Sequence, residues 1–149
     1  MSKAAAVPLD TTAYVCDHCL CFATQRAART LARRFDEALR ETGLTNGQFS
    51  LLMSLNRPEP ASIGVLADFL AMDRTTLTAN LKPLEREGLL QVKVDPSDRR
   101  GRLVVLTKKG HAQLHRAVPI WRRTHGEADR AVGSGGKVLR RGLRALTAA

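Results

Sequence analysis

The stretch Ser62–Thr107, SIGVLADFLAMDRTTLTANLKPLEREGLLQVKVDPSDRRGRLVVLT, decides the fold. It reads as a short helix, a tight turn, a second helix, and two strands joined by an arginine-rich loop. In the second helix Leu77, Leu81 and Leu84 fall at i, i+4 and i+7 and share one buried stripe. At about 100° per residue the opposite face carries Thr75, Ala79, Lys82 and Arg86. That face has a small residue at its centre, donors around it and no acid. It suits the floor of the DNA major groove, where threonine methyls meet thymine methyls and Lys or Arg reaches guanine or phosphate. Asp73 is the expected N-cap, and the free N–H groups of the first turn are phosphate binders themselves. The same composition also fits an ordinary amphipathic helix whose polar face meets only water.

Context separates the two readings. Ile63, Leu66, Ala67 and Leu70 make the preceding helix, Ser62 is its N-cap, and only Ala71–Asp73 separate it from the second. This is the helix-turn-helix arrangement, in which the second helix meets base edges. After Gly88, Leu90, Val92 and Val94 alternate against Gln91 and Lys93, the pattern of a half-buried strand. DPSDRRG supplies turn formers, and RLVVLT returns as the second strand. A hairpin tipped with Arg99, Arg100 and Arg102 beside such a helix is a wing, able to place a guanidinium in the minor groove. Solvated loop charge is the competing reading of those arginines.

Two motifs make a resemblance specific. D-P-x-D-R-R-x-x-x-V-x-L-T-x-x-G, from Asp95 to Gly110, resembles the wing signature of the MarR family of bacterial winged-helix regulators. M-D-R-T-T-L-T-x-x-L-K-x-L-E-x-x-G, from Met72 to Gly88, is similar to the recognition segment of the same family. The resemblance extends from about Cys16 to Gly110 and implies recognition-helix contacts at Arg74, Thr75, Thr76, Thr78 and Lys82. It also implies a wing pair, Asp98 steadying the loop and Arg100 entering the minor groove.

A chain of 149 residues fits one domain, or a small domain with added dimerisation helices. Its 44% hydrophobic content supports a core, and only 4% aromatic residues points to aliphatic helix packing. The net charge of +10 is unevenly spread. Met1–Asp73 carries 7 basic and 8 acidic residues, Arg74–Gly110 carries 9 and 4, and His111–Ala149 carries 8 and 2. Positive charge thus begins at the proposed reading helix, as a polyanion-binding protein requires. No apolar run approaches the roughly 18 residues of a membrane span, and the N-terminus has no signal-peptide core, so a cytoplasmic protein without a membrane partner is expected.

Residues 1–11 read as a loosely attached arm. From Thr12 to Thr42 one long helix is expected, with Leu20, Ala23, Ala27, Leu31, Phe35 and Leu39 on one stripe and Gly43 at C′. So long a stripe needs a partner outside a domain this small, and a second subunit is the economical one. Thr45 and Gln48 have the form of a capping box, opening a helix with Phe49, Leu52 and Met53 inward, which Arg57–Pro60 stops. Pro83 sits inside the reading helix, where a bend is expected. Thr107 caps a further helix holding Leu114, Val118 and Trp121, with a kink expected at Pro119; Gly133–Gly136 turns the chain into a short basic helix, Lys137–Leu146. In the family the first and the last two helices form the dimer, which would place two recognition helices about 34 Å apart on a palindrome.

All 3 cysteines lie in CDHCLC, as Cys16, Cys19 and Cys21, which excludes a scattered disulfide framework. Three readings stay open: apolar fillers at a dimer seam, a redox-active thiol, or a soft-metal site that includes His18. CLCFATQRAAR followed by GLTNGQFSLL is similar to the organic-hydroperoxide-sensing branch of the family, with Cys21 on its reactive cysteine. The tyrosines that bond that thiol in the branch fall here on Gln25, Phe35 and Asn46, so the pattern is incomplete. His111, His115 and His125 share one predicted helix without an HExxH pattern and read as solvated or interfacial. No nucleophile elbow, phosphate loop or dinucleotide fingerprint occurs, so neither an enzyme nor a cofactor is expected.

The expectation is therefore a mainly α fold with a small β-hairpin wing: an arm at 1–11, dimerisation helices at 12–44 and 107–149, and a winged helix-turn-helix at 45–106. Its function would be that of a homodimeric regulator, a repressor on double-stranded DNA released by a small-molecule effector or an oxidant. The alternative is a non-specific architectural DNA-binding protein, whose affinity ignores sequence and falls steeply with salt.

Overall fold

A computed structural model describes residues 6–148. Residues 1–5 of the expected arm lie outside the described residues, while Leu9–Thr11 already belong to a helix. In chain order the elements are α1 (Leu9–His18), α2 (Leu20–Leu39), α3 (Asn46–Ser54), β1 (Ala61–Ser62), α4 (Ile63–Leu70), α5 (Arg74–Arg86), β2 (Leu90–Val94), β3 (Arg102–Leu106), α6 (Lys108–Val132) and α7 (Gly136–Thr147).

The single N-terminal helix expected over Thr12–Thr42 is two helices. At Cys19 the backbone turns extended, with ψ 109°, and its Sγ accepts the Phe22 N–H at 3.4 Å as the N-cap of α2. The helix then tightens into a 3₁₀ turn, Arg40–Thr42, and Gly43 ends it at φ 74°. Thr45 and Gln48 form the full capping box, each side chain bonded to the other's backbone N–H. In α3 Phe49, Leu51 and Leu52 are buried, whereas Met53 is turned outward, because Leu51 and Leu52 take the inward positions.

The core joins Leu39 and Leu44 to Leu66, Leu77, Leu81, Leu84, Leu90, Val104 and Leu114, packing both helix-turn-helix members against the sheet and α6. The sheet has a strand beyond the hairpin: β1 pairs antiparallel with β3, and β2 pairs with β3 from Leu90↔Leu106 to Val94↔Arg102. Leu90 faces inward and Val92 halfway, but Val94 is exposed, because the hairpin has left the body by then. α5 continues past Pro83 to Arg86, and α6 past Pro119 to Val132.

The long stripe on α2 divides in two. Phe35 and Leu39 are buried against the chain's own core, while Leu20 is 66% and Leu31 42% exposed. Facing that upper half across a groove of about 540 Å³ is α7, which contributes Leu139, Leu143 and Leu146. These apolar side chains remain largely exposed within one chain.

Candidate nucleic-acid interface

The geometry of α5 starts at its cap. Asp73 Oδ1 accepts the Thr76 N–H at 2.8 Å, and Thr76 Oγ1 donates to Asp73 Oδ2 at 2.6 Å. These bonds, the hydroxyl's first, hold the Asp73 carboxyl below its ordinary value. The preceding turn is sharp: Ala71 stands in the left-handed region at φ 51°, and Ser62 Oγ caps α4 by accepting the Val65 N–H at 3.2 Å. Leu77, Leu81 and Leu84 then bury one face of α5, so the opposite face must point outward.

That outward face carries Thr75, Thr78, Ala79, Lys82 and Arg86, all exposed. Thr78 Oγ1 donates to the Arg74 carbonyl at 2.7 Å, which engages its hydroxyl within the helix. Thr76 uses its hydroxyl in the cap. Arg74 lies over Gly64 of α4, where an added Cβ would stand 3.1 Å from its Nη2. The one acid within α5, Glu85, is occupied: its Oε1 accepts the Val92 N–H at 3.0 Å and ties the helix to β2.

The hairpin loop is organised by two carboxylates. Asp95 Oδ1 accepts from Ser97 Oγ at 2.7 Å and from its N–H at 2.8 Å, bonds that depress the Asp95 pKa. Asp98 Oδ1 accepts the Arg100 N–H at 2.9 Å, so Asp98 fixes the backbone from which Arg100 projects. Arg102 bends back and donates to the carbonyls of Arg99 (3.1 Å) and Gly101 (2.9 Å). Arg99 and Arg100 are thus the projecting cations of the tip. Every sequence-expected contact residue is exposed, although Thr76 and Arg102 are tied up in bonds within the cap and the loop.

The other expected sites fare differently. Cys16 and Cys21 are exposed and Cys19 partly so. Among the described residues no three His, Cys, Asp or Glu side chains converge as metal ligands. Of the three positions that replace the branch's tyrosines, Gln25 donates to Cys21 Sγ at 3.2 Å, Phe35 is buried, and the Asn46 N–H bonds Asp36 at 2.6 Å. His125 stacks edge-on against Trp121, with ring centres 4.7 Å apart. Sequence reasoning missed a cleft of about 490 Å³ lined by Phe49, Met53, Phe69, Trp121 and Arg122. Its signal was present in Phe69, an aromatic on the water side of α4 that is 74% exposed.

The elements define a winged helix-turn-helix protein with a cationic outer helix face and an arginine-tipped wing. The family model described as "MarR family" matches residues 44–101. The chain is 38% identical over 112 residues to the transcriptional activatory protein BadR of Rhodopseudomonas palustris, a match covering 72% of this chain and 64% of that protein. It is 30% identical to the organic hydroperoxide resistance transcriptional regulator of Bacillus subtilis, over 68% of this chain and 69% of the relative. Among solved structures, the M. tuberculosis transcriptional regulator MosR in complex with DNA superposes with a TM-score of 0.80 at 41% identity, covering 87% of this chain and 94% of that one. The chain belongs to the MarR family of transcriptional regulators. No described helix is long and apolar enough to cross a membrane.

Proposed function

We propose that the chain is a homodimeric, sequence-specific DNA-binding regulator, a cytoplasmic repressor of a palindromic operator and not an enzyme. The observation that carries this reading is the acid-free outer face of α5 beside the arginine-tipped hairpin. Residues 45–106 form the reading head, and 12–44 with 107–149 the dimerisation part. In the major groove Arg74, Lys82 and Arg86 meet guanine or phosphate, Thr75, Thr78 and Ala79 offer methyls to thymine, and Arg100 with Arg99 holds the flanking minor groove. Thr76, Asp98 and Arg102 keep these groups in place. The exposed leucines of α2 and α7 support dimerisation, since apolar patches of this kind mark association surfaces.

Release follows from a small ligand or from cysteine oxidation. The cleft under Trp121 is apolar and has one guanidinium, Arg122, at its edge, which fits an aromatic acid. Selection of bound duplexes from a random pool tests the assignment. A recovered palindrome supports it. Retention independent of sequence and falling steeply with salt makes the architectural reading correct instead.

A further inference from the structure

Arg74 opens α5 beside a glycine of α4, and its place on the helix differs from that of the other cations there. Thr75, Ala79, Lys82 and Arg86 share the outward line, whereas Arg74 stands three residues before Leu77 and seven before Leu81, both buried. Its side chain therefore leaves α5 on the flank that packs toward α4. There the three atoms nearest to the position a Cβ would take on Gly64 are all its own: Nη2 at 3.1 Å, Cζ at 3.6 Å and Nε at 3.8 Å. The guanidinium occupies the room that a side chain on residue 64 would need. Among the described residues the ion pairs are those of Arg34, Arg40 and Arg140, so the Arg74 charge has no carboxylate partner there. The neighbouring Asp73 is spent on the Thr76 N–H and hydroxyl. Arg74 is exposed, so its donors stay open to an anion from outside.

We propose that Gly64 is the positioning residue for Arg74, and that the guanidinium it seats holds a phosphate of the DNA backbone rather than a base edge. The inference rests on the DNA-binding reading above and narrows it. Base edges would lie before the outward line of Thr75, Ala79 and Lys82, and Arg74 is turned away from that line toward α4. A group in that place reaches the strand at the rim of the groove, where it adds affinity without sequence information. An arginine left free gives up rotamer freedom on binding, a cost that a preformed seat removes beforehand. Glycine supplies the seat because the guanidinium passes closer to α4 than a methyl at 64 accommodates. Alanine at 64 leaves the fold intact, since only the far end of a flexible side chain must move and helix propensity favours the change.

The test measures binding of the full chain to two duplexes of equal length, the palindrome recovered from the random pool and an arbitrary sequence. Arg74→Ala should weaken both about tenfold, the scale of one hydrogen bond to a charged group, and lower the salt slope on both. Gly64→Ala should weaken both about fivefold, the scale of one side chain left to be ordered on binding. Its urea midpoint should stay at or above that of wild type. Added to Arg74→Ala, Gly64→Ala should cost nothing further, because the seat has lost its occupant. A wild-type affinity in Gly64→Ala, an equal loss with and without Arg74, or a loss confined to the palindrome overturns the inference. The regulator reading is judged separately: if selection returns no palindrome, sequence-specific recognition falls, and the arbitrary duplex still decides the seat. A wild-type affinity in Arg74→Ala removes Arg74 from the interface and the inference with it.

Discussion

Gly110 and Gly126 lie in the same helix, α6, and substitution by alanine should move stability in opposite directions. A Cβ on Gly110 would stand 2.0 Å from the Leu89 carbonyl oxygen and 3.0 Å from Leu106 Cδ2. Carbon and oxygen meet comfortably at about 3.3 Å, so the first turn of α6 would have to retreat by about 1 Å. That retreat strains three bonds that clamp the turn to the hairpin root. Thr107 N–H donates to Leu89 O at 3.1 Å, Thr107 Oγ1 to Gly88 O at 2.6 Å, and Lys109 Nζ to Glu87 O at 2.6 Å. At about 1 kcal/mol each, their loss costs about 3 kcal/mol. Alanine's better helix propensity returns about 1 kcal/mol, leaving a net loss of about 2 kcal/mol for Gly110→Ala. At Gly126 the added Cβ meets only Arg130 Nη1 at 3.7 Å, an ordinary contact, so Gly126→Ala should gain about 1 kcal/mol. Urea unfolding followed by circular dichroism, at one fixed protomer concentration, reads both. A Gly110→Ala midpoint at or above wild type, with Gly126→Ala stabilised as expected, would refute the close-approach argument.

Arg100→Ala should weaken operator binding by roughly 1–3 kcal/mol, and Lys82→Ala should lower the slope of log affinity against log salt by about 1. Gel shifts over a salt series that return wild-type values for both would remove these residues from the interface. Leu31→Glu and Leu143→Glu each place a carboxylate in the α2–α7 groove, and sedimentation should show the protein shifting to monomers with loss of operator affinity. Unchanged dimers would mean that the second copy sits elsewhere. Asp73, Asp95 and Asp129 have pKa values below the ordinary 3.8, held there chiefly by hydrogen bonds from Thr76, Ser97 and Arg140 respectively. Their contribution is complete above that value and is lost as pH falls through the depressed ones. Thermal melts from about pH 5 to about pH 2 should therefore fall more steeply for wild type than for Asp73→Asn, and equal slopes would remove the cap from the balance.

What the sequence discloses follows the range of each interaction. Ser62, Asp73, Thr107 and the Thr45–Gln48 pair are caps that act over three residues, so their types and spacing are sufficient to find them. Leu77, Leu81 and Leu84 are equally legible, because burial on one helix side follows the helical period. The break at Cys19 is hidden: CDHCLC contains no Gly or Pro, and the cap is a sulfur. β1 is two residues long and exists only because β3 has a free edge beside it. Of the contact surface, α5's outward residues could be read directly, but the inward bend of Arg102 depends on carbonyls that the loop's own fold presents. The same limit applies to Gly110, whose small size matters only because Leu89 O comes against it across the fold.

The Gly110 contact is one of several that α6 makes across the fold. This one helix of 25 residues spans about 37 Å. Its first turn is clamped to the hairpin root through Thr107 and Lys109. Its middle lines the aromatic cleft with Trp121, and Gln113 bonds the Thr42 carbonyl. Near its far end Glu127 pairs with Arg34 of α2 at 2.7 Å and Asp129 with Arg140 of α7 at 2.7 Å. The two ion pairs are about half exposed and individually weak, so they orient the terminal helices more than they stabilise them. A packed helix does not shorten to absorb a displacement at one end; it tilts or slides as a body. A ligand wedged beneath Trp121 would then have a direct mechanical route to the wing root. The tight seating at Gly110 leaves that route little slack, which makes Gly110→Ala a variant expected to loosen effector response as well as stability.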